Sequence, residues 1–530
     1  DQGPAGAAAA ALGGVSLGHR RLSILDLSPA GNQPMVDASG QYALVFNGCI
    51  YNFMEIRREL EARGVWIQSS CDTEVLLQGL ITWEASVLLG KLRGMFAFAF
   101  WNNRERSLLL ARDRLGVKPL YVLNGDEGLA FASSPSSFRA AGLVDDIDPV
   151  AMLEFLEFGH TIEQTCIWRN AWKLAPGTSM SWSNGHRREV SRYWSLPSVE
   201  PRPITDSALA AAADEAEELL LEATRLRLTS DVKVGALLSA GIDSTLVCWA
   251  LRKLKADIGT FTVATPGDPS DESAEAATTA RQLDLSHQVV DLPPDGASNL
   301  EELTSAYGEP FAISSALAML RVSAAIRPHA TVLLTGDGGD DVFLGYPYHL
   351  NFYRAQRLAR IVPPGGGTIW RLIRPVVSLS PLLRRAVHLA DYATGGLGAI
   401  TRVHDGLPYY IRKGILGPRL VEMTLSCREI PLSSVSARRL LADELDHEQR
   451  VQFSGEFLPK VDGATMYHSL EARSPFLDTV LWEFAARLPF GLRLYGGVLK
   501  AVLRKVVRRR LGPAIALRRK QGFTDRKSVV

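Results

Sequence analysis

Short apolar runs separated by turn residues dominate the first 140 residues of the chain. Short apolar runs bounded by turn residues are typical of strands, so we predict a multi-stranded, largely antiparallel domain. Helical periodicity predicts two helices in this region, at about 54–63 and 73–90. The predicted strands are 42–46, 94–101, 108–112 and 120–122.

The pattern changes after residues 191–206, a segment with three prolines and little periodicity that we interpret as a linker. A long amphipathic helix is predicted over 207–228. Residues 350–450 are predicted to be helical with loops. Between these regions apolar strands alternate with helices, which indicates a parallel, doubly wound sheet. The strands predicted for that sheet are 235–238, 259–263 and 331–334.

Composition and charge exclude several classes of protein. Hydrophobic residues make up 46% and charged residues 22% of 530 residues, which is typical of a soluble globular protein with two to four domains. The net charge of +1 gives no reason to expect binding to nucleic acid or to a membrane surface. The five cysteines form no Cys-x-x-Cys pair, so we expect a reducing, cytoplasmic location and no zinc site.

One segment, 369–387, comes closest to a membrane-seeking sequence, although four arginines interrupt it. The chain has no uninterrupted apolar run of about 18 residues, the length that a spanning helix requires. We expect packed helices here. The alternative is a segment that lies at a membrane interface.

The loop 237–245 reads Leu-Leu-Ser-Ala-Gly-Ile-Asp-Ser-Thr and follows an apolar strand. Its small residues allow backbone N–H groups to approach a phosphate, and a following helix adds positive charge at its N-terminus. It is not a Walker A loop, because Gly-Lys-Ser/Thr is absent. The alternative interpretation is an ordinary strand-to-helix turn.

A second loop, 334–341, places Asp337, Asp340 and Asp341 beside three glycines. Three carboxylates so close together repel one another unless a cation neutralises them. Mg²⁺ carried by nucleotide phosphates is the natural candidate, and a solvated acidic loop is the alternative. Both loops follow predicted parallel strands, at the edge where doubly wound sheets bind ligands.

Motifs along nearly the whole chain resemble the glutamine-hydrolysing asparagine synthetase family. The loop at Ser239 resembles the PP-loop of ATP pyrophosphatases, which usually reads Ser-Gly-Gly-Leu-Asp-Ser, and the loop at Asp337 resembles the family's acyl-adenylate loop. The other matching segments occur in the family's order. They are 19–24, 47–52, 72–74, 94–98, 112–121, 309–310, 471–478, 500–504 and 520–523.

The resemblance implies a two-part enzyme. Residues 1–190 would form an α+β glutaminase domain of the N-terminal-nucleophile hydrolase type, with layered antiparallel sheets. Residues 207–524 would form an α/β PP-loop synthetase domain with a helical C-terminal part. With ATP and Mg²⁺ as cofactors, the enzyme would adenylate aspartate and amidate it with ammonia from glutamine, giving asparagine, AMP and pyrophosphate. The expected partners are these substrates, with a homodimer as the candidate assembly and no membrane or nucleic acid.

Both ends of the chain depart from the family's pattern. The family's nucleophile is a cysteine directly after the initiator Met, whereas this chain begins at Asp1 with a segment that resembles a later part of the family. We therefore expect an N-terminally truncated fragment that lacks the first strand and the nucleophile, and that has no glutaminase activity. Residues 525–530 are interpreted as a non-native tail.

The resemblance also assigns a glutamine pocket. Arg21 would clamp the substrate carboxylate, as a bidentate guanidinium does, and Asp72 would hold the α-ammonium. Asn47 and Gly48 would form the oxyanion hole, with Asn47 also binding glutamine. Cys49 stands where the family usually has Glu, and the missing charge is expected to weaken glutamine binding by about 1–3 kcal/mol.

In the synthetase part, the resemblance assigns catalysis to two residues. Asp337, where many relatives have Glu, is implied in forming the acyl-adenylate, and Lys500 would stabilise the developing charge. Mg²⁺ is expected on Asp243, Asp340 and Asp341. Arg473 and Asp478 are interpreted as structural anchors. The residues expected to bind ATP are Leu238, Ser239, Gly241, Asp243, Ser244, Val263, Thr335 and Gly336.

Three departures weaken the assignment of aspartate as acceptor. Ala240 and Leu344 replace usual glycines, and Asp341 replaces a usual Glu; Ala240 is tolerable unless its φ is positive. One alternative is a relative that acts on another carboxylate, in natural-product or surface-sugar amidation or in β-lactam or peptide cyclisation. The retained glutamine pocket favours an enzyme that uses ammonia. The alternative of another class is a catalytically inactive scaffold.

Overall fold

The computed structural model describes residues 7–12, 14–125, 128–183, 187–264, 267, 271–292, 300–396, 410–411, 413–426 and 437–518. The start of the chain, Cys427, the matching segment 520–523 and the expected tail at 525–530 lie outside the described residues.

Antiparallel strands build the N-terminal part, as predicted. A six-stranded sheet has the order β11-β10-β6-β5-β4-β3, a three-stranded sheet has the order β8-β7-β9, and β1 pairs with β2. The strands are β1 (Ala7–Leu12), β2 (Val15–Arg20), β3 (Met35–Val36), β4 (Tyr42–Ile50), β5 (Gly94–Asn102), β6 (Ser107–Arg112), β7 (Tyr121–Asn124), β8 (Leu129–Ala132), β9 (Ala171–Lys173), β10 (Thr178–Ser183) and β11 (Arg187–Arg192).

The two faces of the six-stranded sheet differ in side-chain size. Along β5, Phe96, Phe98 and Phe100 belong to the core that is shared with the helices. The alternate residues Ala97 and Ala99 join the core beneath the three-stranded sheet. Because successive side chains of a strand point to opposite faces, both faces are buried and the domain is layered. This is the α+β arrangement expected for the N-terminal part.

Helices of the N-terminal part correct one prediction. The helix expected at 73–90 is two helices, because Trp83 takes an extended backbone conformation between them. The second helix then places Leu88 against Gly79, where an added Cβ would lie 3.0 Å from the leucine side chain. The helices are Phe53–Glu61, Asp72–Thr82, Ala85–Lys91, Ser136–Ala140 and Pro149–Phe158.

Five parallel strands build the sheet of the C-terminal part, in the order β14-β13-β12-β15-β16. Leu334 packs with helices on one face and Leu333 with helices on the other, so the sheet is doubly wound as predicted. The sequence did not indicate β16, because a three-residue strand with a Glu and an Arg has no apolar pattern. The strands are β12 (Val234–Leu237), β13 (Gly259–Ala264), β14 (His287–Asp291), β15 (Val332–Leu334) and β16 (Glu471–Arg473).

Helices cover this sheet and continue beyond it. The predicted long helix begins at Asp206, where the Thr205 side chain accepts a hydrogen bond from Ala208 N. A π-helix, Gln449–Phe457, interrupts the later helices. The α-helices are Asp206–Arg227, Ile242–Lys253, Ser273–Gln282, Leu300–Tyr307, Ser314–Ile326, Gly339–Phe343, Pro347–Ala359, Gly366–Val377, Arg384–Gly395, Pro418–Ser426, Leu440–Glu448, Leu458–Tyr467, Thr479–Arg487, Phe490–Arg493, Ala501–Leu511 and Pro513–Ala516.

Buried ion pairs join the two parts of the chain. Glu309 of the C-terminal part accepts hydrogen bonds from Tyr121 Oη at 3.1 Å and Thr161 Oγ1 at 2.9 Å, and lies 2.8 Å from Lys173 Nζ. Lys118 Nζ lies 2.6 Å from Asp462 Oδ1. Within the described ranges, no helix combines the length and apolar character that crossing a bilayer requires.

Candidate functional site at the carboxyl edge of the parallel sheet

Two loops meet where the adjacent parallel strands β12 and β15 end. One loop leads into helix Ile242–Lys253 and the other into helix Gly339–Phe343. A Cβ added to Gly336 would lie 2.7 Å from Ser244 N, and one added to Gly339 would lie 2.7 Å from Asp243 Cγ. The loops therefore touch, and glycine is required at these two positions because a side chain would separate them.

Hydroxyl groups shape the first loop. Ser239 Oγ lies 2.8 Å from Ser244 Oγ and accepts a hydrogen bond from Gly241 N at 3.1 Å. Ala240 N donates to Glu272 Oε2 at 2.9 Å, and Ala240 does not take a positive φ. The methyl group of Ala240 is therefore compatible with the turn, as the sequence-based condition required.

A buried lysine connects the two loops. Lys500 Nζ lies 2.5 Å from Asp340 Oδ1 and also forms an ion pair with Asp243. Burial opposes the charge of this side chain, but the two carboxylates raise the pKa of Lys500 above its usual value. The ammonium group therefore keeps its proton. A Cβ at Gly345 would collide with Asp340 and Lys500, so this glycine makes room for the pair.

Asp337 lies on the second loop in a different environment. Thr335 Oγ1 donates to Asp337 Oδ2 at 2.7 Å, and Ser474 Oγ donates to the backbone oxygen of Asp337 at 2.6 Å. Burial raises the pKa of Asp337, and the Thr335 hydrogen bond partly offsets this. The sequence did not single out Ser474 for this contact, because nothing in its local pattern places it beside the loop.

The residues expected to bind ATP lie on neighbouring strands at this edge. Leu238 N donates to Phe261 O at 2.8 Å, and Thr262 Oγ1 donates to Leu238 O at 2.5 Å. Val263 occupies the carboxyl end of β13, beside this pairing. The structure thus brings the first loop, the second loop and Val263 to the carboxyl edge of the sheet.

The three carboxylates expected to hold Mg²⁺ are arranged differently from one another. Asp243 and Asp340 share the ammonium of Lys500, whereas Asp341 Oδ1 lies 3.5 Å from Tyr346 Oη. In the part of the chain that the structure describes, no three His, Cys, Asp or Glu side chains are grouped closely enough to hold a metal ion. Two carboxylates with nucleotide phosphates still match the ligands that Mg²⁺ prefers.

The expected oxyanion residues lie near the end of β4. Gly48 has φ +146°, and a Cβ there would collide with Met95 O on β5, so only glycine allows this close approach. Asn47 Nδ2 lies 3.4 Å from Ser133 Oγ. These contacts hold the end of β4 against β5 and against Ser133.

Arg21 and Asp72, the charged residues of the expected glutamine pocket, both bind backbone groups. Arg21 donates to Leu25 O at 2.7 Å and Ser28 O at 3.1 Å. Asp72 accepts from Ile50 N at 2.9 Å, and burial raises its pKa to about 6 although that hydrogen bond opposes the shift. Asp72 is thereby fixed at the end of β4, and Arg21 is held by the loop that follows β2.

Cys49 is buried beside Arg473 of the C-terminal part. Arg473 Nη2 lies 3.5 Å from Cys49 Sγ. Burial raises the pKa of the Cys49 thiol, so the residue remains a neutral, unreactive thiol. The other cysteines in the described ranges, Cys71, Cys166 and Cys248, are also free and buried.

Arg473 and Asp478 have the contacts of structural anchors. Arg473 donates to Glu471 Oε1 at 2.8 Å and to Thr229 O at 2.7 Å. Asp478 caps helix Thr479–Arg487 and forms ion pairs with Arg93 at 2.8 Å and Arg227 at 3.1 Å. Although burial raises the pKa of Asp478, these two arginines lower it below its usual value. The carboxylate therefore joins the two parts of the chain.

The chain thus has two parts: a layered antiparallel domain, and a doubly wound domain with two touching loops. Known families match both parts. The family model "Asparagine synthase" matches residues 215–529, and the model "Glutamine amidotransferase domain" matches residues 1–194. The chain belongs to the asparagine synthase family. Its parts therefore have the organisation of a glutamine-dependent amide ligase.

Individual relatives agree with this family. The chain is 28% identical to asparagine synthetase [glutamine-hydrolyzing] 1 of Bacillus subtilis, covering 96% of this chain and 79% of that protein. It is 30% identical to a putative asparagine synthetase of Methanocaldococcus jannaschii, covering 66% of this chain and 70% of the relative. It is 27% identical to amidase chry2 of Gibberella zeae, covering 91% of this chain and 75% of that protein.

A solved structure shows a more distant likeness. It is a glutamine phosphoribosylpyrophosphate amidotransferase from B. subtilis, with 15% identity and a TM-score of 0.27 over 62% of this chain and 63% of that one. A likeness of this size adds nothing to the assignment, which depends on the family models and on the topology above.

Proposed function

We propose that this chain carries the ATP-dependent chemistry of a glutamine-hydrolysing asparagine synthetase. The observation that supports this most directly is the Lys500 ammonium shared between Asp243 on one loop and Asp340 on the other. A cation held between two loops at the carboxyl edge of a parallel sheet is suited to an anionic nucleotide.

The first loop is proposed to receive the phosphates of ATP. Ser239 and Ser244 carry hydroxyl donors, and helix Ile242–Lys253 directs the N–H groups of its first turn to the same place. Mg²⁺, with Asp243 and Asp340 as its carboxylate ligands, would neutralise phosphate charge. Lys500 would then exchange its carboxylate partners for phosphate oxygens as negative charge develops.

The proposed reaction has two steps, adenylation of the acceptor carboxylate and amidation of the acyl-adenylate. An oxygen of the acceptor carboxylate attacks the α-phosphorus of ATP, and the bond to pyrophosphate breaks. Ammonia then attacks the acyl carbon, the C–O bond to AMP breaks, and the nitrogen loses a proton. Asp337, half-buried beside Thr335 on the second loop, is the proposed participant in acyl-adenylate formation.

The pocket near the end of β4 is proposed to bind glutamine, whose hydrolysis would supply ammonia only with the family's nucleophilic cysteine, a residue that these 530 residues are expected to lack. Asn47 and Gly48 are its proposed oxyanion hole, and Arg21 and Asp72 its charged groups. The proposed boundaries are residues 1–190 for this domain, 191–206 for the linker and 207–524 for the synthetase domain.

An amide ligase for another carboxylate is the second candidate. It is favoured by Leu344 and Asp341, which depart from the family's usual residues, and by the similarity to amidase chry2. Both departures lie on the second loop or directly after it. A different acceptor would change this part of the site, whereas the third departure, Ala240 on the first loop, fits its turn without a positive φ.

The decisive experiment measures AMP and pyrophosphate released from ATP, Mg²⁺, aspartate and ammonium chloride. Ammonium supplies nitrogen directly, so the result depends on the synthetase part. We expect aspartate-dependent AMP together with asparagine. ATP binding by folded protein without aspartate-dependent turnover would favour another acceptor and require a screen of carboxylates. Failure to bind ATP with Mg²⁺ would favour the scaffold alternative.

A further inference from the structure

An apolar stripe of helix Gly366–Val377 faces solvent. Ile369, Leu372, Ile373 and Val376 recur at the spacing of one helical face, and their side chains are between 46% and 75% exposed. No residue of this helix is buried. In a helix that packs on a core, the apolar face is the buried one. Here the apolar face of the helix is the exposed one.

The turn after the helix extends the stripe. Leu379 is 80% and Leu382 is 94% exposed, and Ile361 before the helix is 77% exposed. Side chains this exposed project from a convex surface and do not line a groove. The sequence-based expectation of packed helices over 369–387 therefore holds for one side of this segment only.

Contacts on the opposite side fix this orientation. Trp370 Nε1 and Arg374 Nε each donate to Asp391 Oδ1 at 2.8 Å, which attaches the helix to helix Arg384–Gly395. The polar side of the helix thus packs on its neighbour, and the stripe is directed outward as a consequence.

The segment that carries the stripe has an excess of positive charge. Residues 360–396 contain five exposed arginines and a single acidic residue, Asp391, which already pairs with Arg374. The chain as a whole has a net charge of only +1, so the excess is local. The five arginines are Arg360, Arg371, Arg374, Arg384 and Arg385.

We propose that this leucine–arginine face, formed by the stripe, Leu379, Leu382 and the four arginines other than Arg374, docks onto an anionic lipid surface. A helix with arginines and an apolar face of Leu, Ile and Val matches the pattern of helices that lie in a membrane interface. The convex turn allows the two leucines to enter the lipid while arginines meet headgroup phosphates. The proposal concerns surface attachment, in addition to the proposed enzymatic function and independent of it.

A second copy of the chain fits this face less well. In a twofold-symmetric dimer the same surface patch meets itself, so arginines would oppose arginines. Like charges facing each other weaken such a contact. An acidic lipid surface supplies the opposite charge without this conflict.

The test is co-sedimentation of the full chain with vesicles. We expect binding to vesicles of phosphatidylglycerol and phosphatidylcholine, weak binding to phosphatidylcholine alone, and a decrease with added salt. The double variant Leu379→Ser/Leu382→Ser should weaken binding by about tenfold. Arg384→Ala/Arg385→Ala should weaken binding by about tenfold or more and reduce its salt dependence.

Matched controls make the result specific. Leu143→Ser/Leu300→Ser removes two other exposed leucines and should leave vesicle binding unchanged. Because all four substituted leucines are exposed, thermal unfolding should be similar in every variant. The proposal is overturned if anionic vesicles do not bind the protein, or if the Leu379/Leu382 variant binds as well as the parent. It is also overturned if light scattering shows a dimer that this variant dissociates.

Discussion

Two buried cations, Lys500 and Arg473, are held by carboxylates in the C-terminal part, and their surroundings differ. Arg473 directs its planar guanidinium to Glu471 and to the backbone oxygens of Arg227 and Thr229, which do not move independently of the fold. Lys500 meets two carboxylates on two different loops. The planar guanidinium donates in fixed directions and therefore keeps its partners. An ammonium group is a point charge with rotatable donors, so it can change partners. For these two cations, exchangeable partners distinguish the proposed catalytic residue from the structural anchor.

The largest expected effect comes from removing the exchangeable cation. Lys500→Met should lower ammonia-dependent AMP formation by about 10²–10³-fold, the range for losing one group that stabilises transition-state charge. Lys505→Met changes an exposed lysine on the helix that directly follows Lys500; it is the matched control and should retain activity. Steady-state AMP release measures both. Equal rates for the two variants would remove the distinction drawn between Lys500 and Arg473.

Removing a fixed carboxylate should affect stability most. Asp478→Ala leaves Arg93 and Arg227 without their shared partner, and we expect a loss of about 3–5 kcal/mol in the free energy of unfolding. Thermal and denaturant unfolding measure it. Glu59→Ala removes the exposed partner of Lys91 and should cost less than about 1 kcal/mol. A loss as small as that of the control would mean that the Asp478 ion pairs are not structural anchors.

Asp72 gives a test that depends on pH. Its pKa is about 6 in the folded protein against 3.8 normally, so the folded state binds the proton more tightly and stability decreases as pH rises from about 4 to 6. Asp72→Asn removes this titration. The variant should match the parent near pH 4 and exceed it above pH 6 by at most about 3 kcal/mol. Urea unfolding across this range measures the difference, and parallel pH profiles would contradict the shifted pKa.

The smallest effect is expected at Leu344. This residue has φ +61°, where the family usually has glycine, and its side chain is buried. Leu344→Gly relieves about 1 kcal/mol of left-handed backbone strain but removes a core side chain worth about 2–5 kcal/mol, so we expect a net loss of about 2 kcal/mol. Leu344→Ala keeps the strain and should be less stable than the glycine variant. The reverse order, measured by thermal unfolding, would refute the strain.

Local pattern predicted some elements well. The alternation along residues 94–101 and the apolar run at 331–334 each became strands, because both depend on side-chain period and on burial alone. The helix break at Trp83 and the strand Glu471–Arg473 were not predicted. The strand depends on a neighbour distant in sequence, because β15 offers β16 a partner, and the helix break accompanies the packing of Leu88 on Gly79.

The candidate site divides in the same way. Glycines, hydroxyls and carboxylates in the sequence indicated both loops, each with an ordinary loop as the alternative, and the resemblance to the family assigned Lys500. The sequence did not indicate that Gly345 makes room for the Lys500 pair, or that Arg21 and Asp72 bind backbone groups. Such contacts depend on the packing of loops against strands, which no single window of sequence contains.

For this protein, the sequence by itself determined the order of the two parts, the antiparallel and parallel character of their sheets and the family. These follow from periodicity and motif spacing, which are properties of the chain. Only the tertiary structure decided which charged groups are fixed and which can exchange, and that the apolar stripe at 369–376 faces outward. Those outcomes depend on which surfaces meet, because burial and pairing are properties of neighbours in space.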